Sequence, residues 1–289
     1  MKKLGKFEFA KYHALGNDYI VVDERGFGVR FTPDNIRRIC HRNLGVGSDG
    51  ILAFRPLPGG AFNLRIFNPD GSEAEKSGNG LRIFARFAWD LGYVRKRDFP
   101  VKTLGGDVRA ELFLKRGDVD VIRVEMGRAT FVSREIPVAG PRREVVGEVF
   151  RAGGRNFRAT CLSVGNPHCV IFMGRLDVGE LRRYGPLLEN HAAFPNRINV
   201  QFARVRSRHV IDALIWERGA GETMASGSSS CAVAAAAVKN GLADGTVKIR
   251  MPGGIIRVDV GRDFSLRMTG PATPVCRGTL MPSFVARHS

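Results

Sequence analysis

Two serine–glycine segments, one in each half of the chain, carry residues that could do chemistry. Residues 73–80 have the sequence EAEKSGNG, and residues 222–229 have the sequence ETMASGSS. In each, a glutamate and three further residues precede a Ser-Gly pair, which begins at Ser77 or Ser226. Each pair leads into a predicted helix. The N-terminus of a helix favours a bound anion and lowers the pKa of a proton-transfer group placed there.

Two such helix starts predict a particular kind of reaction. Groups on opposite sides of one carbon atom can remove a proton from one face and return a proton to the other, which inverts a stereocentre. Ser77 and Ser226 lie 149 residues apart (226 minus 77), which is about half of the 289-residue chain. This spacing predicts a duplicated half. Two pseudo-equivalent domains facing each other would place both helix starts across one cleft.

The elements that must position these serines are predicted from periodicity and capping residues. Eight short apolar or alternating runs predict strands, at 7–10, 19–23, 51–54, 62–67, 119–125, 169–173, 210–216 and 255–260. Four segments predict helices. The first runs from the N-cap Thr32 and Pro33 to Gly45, and the second has an apolar helical period from Leu81 to Leu91 with a C-cap at Gly92. The third runs from Ala232 to Lys239 with Gly241 behind it, and the fourth, from Asp177 to Ala193, is interrupted at Gly185–Pro186.

The chain is strongly basic, with a formal net charge of +17 and a pI of about 10.4. Its basic residues are spread along the whole sequence and accompany no nucleic-acid-binding motif, so we expect no nucleic-acid partner. A basic field would still draw anionic substrates such as dicarboxylates toward the protein. Apolar residues make up 44% of the chain and charged residues 25%, which is typical of a soluble globular protein.

Other features bear on the cellular compartment. The longest apolar stretch with a helical pattern, Ala232–Val238, is too short to cross a bilayer, and Met1–Ala10 lacks the apolar core of a signal peptide. We therefore expect no membrane association and a cytoplasmic location. The five cysteines are scattered and form no C-x-x-C, which predicts reduced, mostly buried thiols rather than disulfides or a zinc cluster.

Seven motifs in order and spacing resemble those of the diaminopimelate epimerase family over essentially the full chain. They are HALGNDY (13–19), IFNPDGSE (66–73), SGNGLR (77–82), GNPH (165–168), RINV (197–200), ERGAGET (217–223) and MTGPA (268–272). By contrast, GVGSDG (45–50) fits a dinucleotide-binding pattern but leads into a predicted strand rather than a helix, so we discard it.

The resemblance implies an α/β (α+β) fold of two pseudo-symmetric domains, each a curved mixed sheet around a central helix, with the active site in the cleft between them. The N-terminal domain would span residues 1–128 with a returning strand at 274–289, and the C-terminal domain residues 129–273. The resemblance also implies no cofactor, no pyridoxal phosphate, no metal and a homodimer. In the family, two cysteines act as a thiolate–thiol pair on the α-carbon of L,L-diaminopimelate and give the meso isomer, a precursor of lysine and peptidoglycan.

The resemblance further implies roles for individual residues. Its predicted catalytic residues are Ser77, Ser226, His168 beside the reacting centre, and Glu217. The predicted substrate-binding residues are those matching the distal amino-acid end (Asn17, Asn68, Asn166 and Asn199), the pair that binds charged ends (Glu217 and Arg218) and the helix starts that bind the α-carboxylate through backbone N–H groups (Gly78, Asn79, Gly227 and Ser228). Glu73 and Glu222, before the helix starts, are interpreted as partners of loop N–H groups.

The chain departs from the family pattern where it matters most, because Ser77 and Ser226 stand at both catalytic cysteine positions. An alcohol ionises far less readily than a thiol and needs another base to activate it. His168 could assist one serine, and nothing obvious serves the other. Cys231 lies well inside the following helix and is predicted to face the core. Gly50, where the family often has a polar side chain, and Lys76, directly before Ser77, are further departures.

These departures leave four readings. The chain is a diaminopimelate epimerase in which serines replace thiols, an isomerase of the wider superfamily with another amino-acid substrate, or an amino-acid-binding pseudoenzyme. The fourth is that cysteines were replaced by design to trap a complex. The retained asparagines and the Glu217–Arg218 pair favour the first, with diaminopimelate as substrate.

Overall fold

The computed structural model of the protein describes residues 3–285. Its strands are β1 (Glu8–Ala14), β2 (Asn17–Asp23), β3 (Ile51–Pro56), β4 (Phe62–Phe67), β5 (Glu73–Ala74), β6 (Asp98–Thr103), β7 (Gly106–Lys115), β8 (Asp118–Arg128), β9 (Glu148–Ala152), β10 (Arg155–Ser163), β11 (Pro167–Phe172), β12 (Asn199–Ser207), β13 (Val210–Glu217), β14 (Gly221–Thr223), β15 (Thr246–Met251), β16 (Gly254–Val260), β17 (Ser265–Gly270) and β18 (Thr273–Thr279). Its helices are α1 (Pro33–Cys40), α2 (Gly78–Asp90), α3 (Val178–Glu189), α4 (Gly227–Lys239) and α5 (Pro282–Val285), with a 3₁₀ turn at Pro58–Gly60.

The chain forms two compact units. The first contains the described residues up to Val124 together with those from Gly270 onward, and the second contains Glu125–Thr269. In the first unit, neighbouring strands pair in the order β18, β1, β2, β3, β4, β6, β7, β8. The pairs β2–β3 and β4–β6 are parallel and the others antiparallel, and β5 adds to β4 as a short antiparallel partner.

The second unit repeats this topology. Its strands pair in the order β9, β10, β11, β12, β13, β15, β16, β17. The parallel pairs are β11–β12 and β13–β15, at the same places in the order, and β14 adds to β13 as β5 adds to β4. In both units a helix follows the short added strand, α2 in the first and α4 in the second. The predicted duplication and the mixed α/β fold are therefore confirmed at the level of strand pairing.

Helices α2 and α4 are buried over most of their length within their units. All residues from Gly78 to Ala88 of α2 are buried, and the helix packs on β1, β2 and β7. In α4, the alanine run from Ala234 to Ala237 is fully buried, and the helix packs on β10 to β13. Both helices are therefore enclosed by strands of their own units. This enclosure fixes both serine–glycine helix starts in place.

Capping explains most of the helix ends, with one correction. Thr32 caps α1 as predicted, since its side chain accepts a hydrogen bond from the N–H of Asn35. However, α1 ends at Cys40 rather than near Gly45. The N–H of Gly45 instead donates to the carbonyl of His41 at 2.9 Å in a separate turn. Helix α2 ends before Gly92, whose φ of 69° suits a residue without a Cβ.

Helix α3 corrects a second prediction, because it runs through Gly185–Pro186 without interruption. Proline costs only the one N–H bond to the preceding turn here, and the carbonyl of Pro186 still accepts from the N–H of Asn190 at 3.2 Å. Gly185 allows close packing, since a Cβ there would lie 2.7 Å from Cγ of Trp216. Packing on β13 therefore overrides the local helix-breaking signal.

The close contact at Gly185 gives a stability prediction. In an open helix Gly→Ala stabilises by about 1 kcal/mol, but Gly185→Ala should lower the free energy of unfolding by about 1–3 kcal/mol because the Trp216 ring must move. Urea unfolding followed by tryptophan fluorescence measures this. Gly174→Ala is the matched control, since a Cβ at Gly174 meets no atom within 4 Å. A stabilised Gly185→Ala protein would contradict the packing described here.

Two further predictions concern the cysteines and membrane-spanning helices. Cys276 is exposed and the other four cysteines, Cys231 included, are buried, which confirms the prediction that most of them are buried. None of the helices within residues 3–285 is long and apolar enough to cross a membrane.

Candidate active site

Ser77 is the N-cap of α2. Its Oγ accepts a hydrogen bond from the N–H of Gly80 at 3.0 Å. The hydroxyl of Tyr19 lies 3.4 Å from the same Oγ. The first turn of α2 also presents the backbone N–H groups of Gly78 and Asn79 at the helix N-terminus. The arrangement therefore gives one hydroxyl and two first-turn N–H groups at the positive end of the helix dipole.

Tyr19 reaches Ser77 because Gly50 leaves room for its ring. A Cβ at Gly50 would lie 2.3 Å from the carbonyl oxygen of Phe67 and 2.7 Å from Cε1 of Tyr19. A polar side chain at position 50, as the family often has, cannot be accommodated in this packing. The position of the Tyr19 ring therefore depends on the glycine at position 50, where the family often has a polar side chain.

Asn17 and Asn79 form a hydrogen-bonded pair in the first unit. The Asn79 side-chain N–H₂ donates to Oδ1 of Asn17 at 3.0 Å, and Nη2 of Arg82 donates to Oδ1 of Asn79 at 2.9 Å. The Asn17 side-chain N–H₂ donates to Asp49 at 2.9 Å. Arg82 is fully buried, and its Nε donates to the carbonyl of Pro271 at 3.3 Å. Sequence reasoning missed Arg82, although it lies three residues after Asn79 on the same helix face.

Asn68 stands apart from this pair. It follows β4 in a turn, where its N–H and its side-chain N–H₂ donate to the carbonyl and hydroxyl of Ser72 at 2.8 and 2.9 Å. These are the bonds of an ordinary turn asparagine. The described contacts of Asn68 therefore support a structural role, and its predicted role in substrate binding stays a prediction.

Ser226 is the N-cap of α4 and is only 4% exposed. Its Oγ accepts from the N–H of Ser229 at 3.4 Å and lies 3.4 Å from the hydroxyl of Ser228. Both contacts are long, so Ser226 is held less tightly than Ser77. The first turn of α4 presents the backbone N–H groups of Gly227 and Ser228 in the same way. The two units thus carry equivalent serine-capped helix starts.

His168 lies at 0% exposure in β11, with both ring nitrogens hydrogen-bonded. Nε2 lies 2.9 Å from Oδ1 of Asn166, and Nδ1 lies 3.1 Å from the side-chain nitrogen of Gln201. Burial is the main cause that lowers the pKa of His168 to about 3; the hydrogen bond with Gln201 opposes this shift, and the charge of Arg218 adds to it. The ring is therefore neutral at physiological pH and presents no free nitrogen. These contacts suit an orienting role, and the assistance of His168 to one serine stays a prediction.

Asn166 and Gln201 connect His168 to the start of α4. The side-chain N–H₂ of Asn166 donates to the hydroxyl of Ser228 at 3.5 Å, and that of Gln201 donates to the hydroxyl of Ser229 at 3.1 Å. Sequence reasoning missed Gln201. The signal was available, because Asn199 and Gln201 are two residues apart on β12 and so lie on one face of the sheet.

Asn199 holds Arg218 in position. Its side-chain N–H₂ donates to the carbonyl of Pro167 at 2.8 Å, while its Oδ1 accepts from the N–H of Arg218 at 2.9 Å. Nη1 of Arg218 donates to the carbonyl of Asn196 at 2.9 Å. Glu217, half-buried, is the last residue of β13. Both amide groups of Asn199 are thus used by the backbone, which makes it a support for Arg218.

The two glutamates before the helix starts bind arginines instead of loop N–H groups. The carboxylate of Glu73 pairs with Arg65 at 2.7 Å, and that of Glu222 pairs with Arg182 at 2.6 Å. The interpretation as partners of backbone N–H groups is therefore corrected. Long arginine side chains reach these exposed carboxylates more easily than the turning backbone does. Within residues 3–285 no group of three or more His, Cys, Asp or Glu side chains is arranged to hold a metal ion.

Comparison with solved structures places the fold among epimerases and racemases. A hydroxyproline epimerase from Agrobacterium vitis, solved with bound trans-4-hydroxy-L-proline, superposes with a TM-score of 0.71 at 13% identity, covering 96% of this chain and 93% of that one. A predicted epimerase from Pseudomonas aeruginosa superposes with a TM-score of 0.66 at 18% identity, covering 96% and 99%. At such low identity the likeness concerns the fold alone.

Comparison of sequences gives the family. The sequence profile of the diaminopimelate epimerase family matches residues 9–132 and 160–275. Diaminopimelate epimerase 2 of Nostoc sp. is 47% identical over 281 residues, covering 96% of this chain and 97% of the relative. A diaminopimelate epimerase of Desulforudis audaxviator is 45% identical over 275 residues, covering 94% and 98%. The chain belongs to the diaminopimelate epimerase family, a family of amino-acid isomerases, which confirms the resemblance seen in its motifs.

Proposed function

We propose that the protein inverts L,L-diaminopimelate to meso-diaminopimelate without a cofactor, by two-base proton transfer at the α-carbon. The observation that carries the proposal is the pair of equivalent serine-capped helix starts, one in each duplicated unit. In this role the protein serves the supply of lysine and peptidoglycan precursors. A cytoplasmic homodimer completes the proposal.

The helix starts suit the α-carboxylate of an amino acid. The N–H groups of Gly78 and Asn79 in α2, and of Gly227 and Ser228 in α4, point out of their helices at the positive end of each dipole. A carboxylate is held at such a site by backbone donors, with no charged side chain required. This leaves the serine hydroxyls, one position earlier in each helix, beside the carbon that bears the carboxylate.

The distal end of the substrate is assigned to charged and amide groups. Arg218 is fixed by Asn199 and by the carbonyl of Asn196, so its guanidinium is pre-positioned for a carboxylate. Glu217 precedes it and supplies the opposite charge for an ammonium group. Asn17, Asn68 and Asn166 complete the predicted set. An amino-acid end, which carries one ammonium and one carboxylate, matches this pair of charges.

Serines in place of thiols predict slow chemistry. An alkoxide at Ser77 would be stabilised by the backbone N–H of Gly80, and one at Ser226 by the backbone N–H of Ser229. The helix dipole would stabilise both. Among the described contacts, no histidine ring is hydrogen-bonded to the hydroxyl of Ser77 or Ser226, and the amide of Asn166 lies between His168 and Ser228. We therefore assign proton transfer to Ser77 and Ser226 and an orienting role to His168.

A second function, amino-acid binding without inversion, is favoured by one observation. Both serine hydroxyls act as helix caps, which is what serine does at a helix start with no catalytic purpose. A pseudoenzyme would keep the carboxylate site and the Arg218 pocket while losing proton transfer. A third possibility is inversion of a different amino acid.

One experiment separates these functions. Wild-type protein is titrated calorimetrically and incubated in deuterated water with a panel of L,L-diaminopimelate, L-lysine, L-glutamate and L-proline, and the α-proton signals are followed by NMR. The proposal predicts binding and α-proton loss with L,L-diaminopimelate. Binding without loss of the α-proton would indicate the pseudoenzyme, and loss of the α-proton from another member of the panel would indicate a different substrate. The absence of both binding and α-proton loss would contradict the site assignments.

A further inference from the structure

Glu189 is a buried carboxylate at an unfavourable place. It is the last residue of α3 and is only 5% exposed. The C-terminus of a helix is the negative end of the helix dipole, so a carboxylate there is repelled. Burial also removes water from its charge. A carboxylate is stable at such a place only when strong donors compensate for both effects, so the donors around Glu189 indicate its role.

Three donors surround the Glu189 carboxylate. The indole N–H of Trp216 donates to Oε2 at 2.7 Å, and the backbone N–H of Gly219 donates to Oε1 at 2.9 Å. Nη1 of Arg197 also donates to Oε1, at 3.2 Å. Each of these groups can only donate and an ionised carboxylate can only accept, so the direction of all three bonds is fixed. Two of the three donors lie at the ends of one short segment, Trp216–Gly219.

The Trp216–Gly219 segment carries Glu217 and Arg218. It leads out of β13 toward β14, and it is exposed at Arg218 and Gly219. Oδ1 of Asn199, in β12, accepts from the backbone N–H of Arg218 at 2.9 Å. The Glu189 carboxylate, at the end of α3, accepts from the next N–H along the chain. Two consecutive N–H groups of an exposed turn are therefore held by two different elements.

The equivalent turn of the first unit is held differently. It follows β4, and the N–H and side-chain N–H₂ of Asn68 donate to Ser72 within the turn itself. The equivalent helix, α1, contributes Arg37, whose Nη1 donates to the carbonyl of Asp70 at 2.8 Å. The duplicated topology therefore does not require a buried carboxylate at this place. Glu189 is a feature of the unit whose turn carries a pair of charged residues.

We infer that Glu189 is a positioning residue for Arg218, because it holds the Trp216–Gly219 segment so that the guanidinium meets the distal carboxylate of the substrate. The inference rests on the proposed function in taking Arg218 as the residue that binds this carboxylate. An exposed turn without such an anchor opens locally at little cost in free energy. A guanidinium displaced by about 1 Å loses the geometry of a bidentate bond to a carboxylate.

Replacement of Glu189 by glutamine tests the hold on the turn without any substrate. Glutamine has nearly the same shape but a single acceptor oxygen, so it cannot keep both the bond from Trp216 and the bond from Gly219. Exchange of these two N–H groups in deuterated water, followed by ¹H–¹⁵N NMR, should be slow in wild-type protein and about 10-fold faster for at least one of them in Glu189→Gln. Glu180→Gln on the same helix, whose carboxylate pairs with Arg155 at 2.7 Å, is the matched control and should change neither.

Ligand affinity tests whether the turn positions Arg218. Calorimetry compares L,L-diaminopimelate with L-lysine, which has the distal amine but no distal carboxylate. Glu189→Gln should weaken the binding of L,L-diaminopimelate by about 10-fold or more and leave that of L-lysine unchanged. In an Arg218→Ala background the same substitution should have no further effect on the affinity for L,L-diaminopimelate, because a positioning residue acts only through the group that it positions.

The opposite results would overturn the inference. They are an equal loss of affinity for both ligands, an effect of Glu189→Gln that persists in Arg218→Ala, or exchange in wild-type protein at the rate of unprotected N–H groups. If Glu189→Gln does not fold, Glu189→Asp, which draws the carboxylate back by one methylene, should give the same two changes. If wild-type protein does not bind L,L-diaminopimelate, the proposed substrate fails, while the exchange of Trp216 and Gly219 still decides whether Glu189 holds the turn.

Discussion

Replacing both Ser77 and Ser226 with cysteine is expected to raise the rate of α-proton exchange from L,L-diaminopimelate by about 100-fold or more. A thiol has an ordinary pKa of about 8.5, and a helix N-terminus lowers it further, so a thiolate forms at neutral pH where an alkoxide does not. Both positions already lie at N-caps, so the new thiols would be placed at the positive end of α2 and α4. Exchange is measured by NMR in deuterated water.

The single variants Ser77→Cys and Ser226→Cys are the matched controls, and each should fall well short of the double variant because inversion needs both groups. The double variant should also be less stable, since cysteine is a poorer helix cap than serine and loss of a cap costs about 1 kcal/mol. An exchange rate equal to that of wild-type protein, in a folded double variant that binds the substrate, would mean that other groups transfer the protons.

Acidification is expected to destabilise the protein through His168. The unfolded histidine takes up a proton as the pH falls below about 6.5, whereas burial in the folded state holds the pKa of His168 at about 3. The stabilising effect of the neutral ring is thus complete above pH 6.5 and declines toward pH 3. Between pH 6.5 and pH 4 the free energy of unfolding should fall by about 3 kcal/mol, since each pH unit contributes about 1.4 kcal/mol.

Urea unfolding at a series of pH values measures this loss. Wild-type protein and His168→Gln are compared, and the difference in their free energies of unfolding should narrow steadily as the pH falls. His209→Gln, at a histidine whose side chain is 69% exposed, is the control that should track the wild type. A constant difference between wild-type protein and His168→Gln would mean that the folded protein binds a proton at His168.

The serine-capped helix starts could be predicted from sequence because their signals are local. A Ser-Gly pair before an apolar or alanine-rich run marks a helix N-terminus, and its repetition 149 residues later (226 minus 77) marks a duplication. The Ser-Gly pair and the run that follows it lie within a few residues of Ser77 or Ser226 in each half. The strand pairings of the two units then repeat, including the positions of the parallel pairs.

The neutral state of His168 could not be predicted because it depends on contacts that are distant in sequence. Gln201 lies 33 residues further along the chain and reaches the ring through the parallel pairing of β11 with β12, in which His168 is opposite Asn199. Periodicity indicates that each segment is a strand, but it does not give their register. Arg82 is a similar case, since its partner Pro271 lies 189 residues away.

Helix α3 shows the opposite limit, where a local signal was misleading. Gly185–Pro186 has the sequence of a helix break, yet the helix continues because Gly185 packs against the Trp216 ring of β13. Tertiary packing overrides local propensity when the packing is tight enough.

The fate of solvent deuterium in the first turnovers tests the central claim most directly. Wild-type protein is incubated with L,L-diaminopimelate in deuterated water, and substrate and product are separated at low conversion and analysed for α-deuterium. If Ser77 and Ser226 act as two separate bases, the meso product carries deuterium at the inverted carbon and the recovered L,L-isomer keeps its α-proton. Ser77→Ala and Ser226→Ala should each abolish product formation. Formation of meso product in both alanine variants would contradict the account.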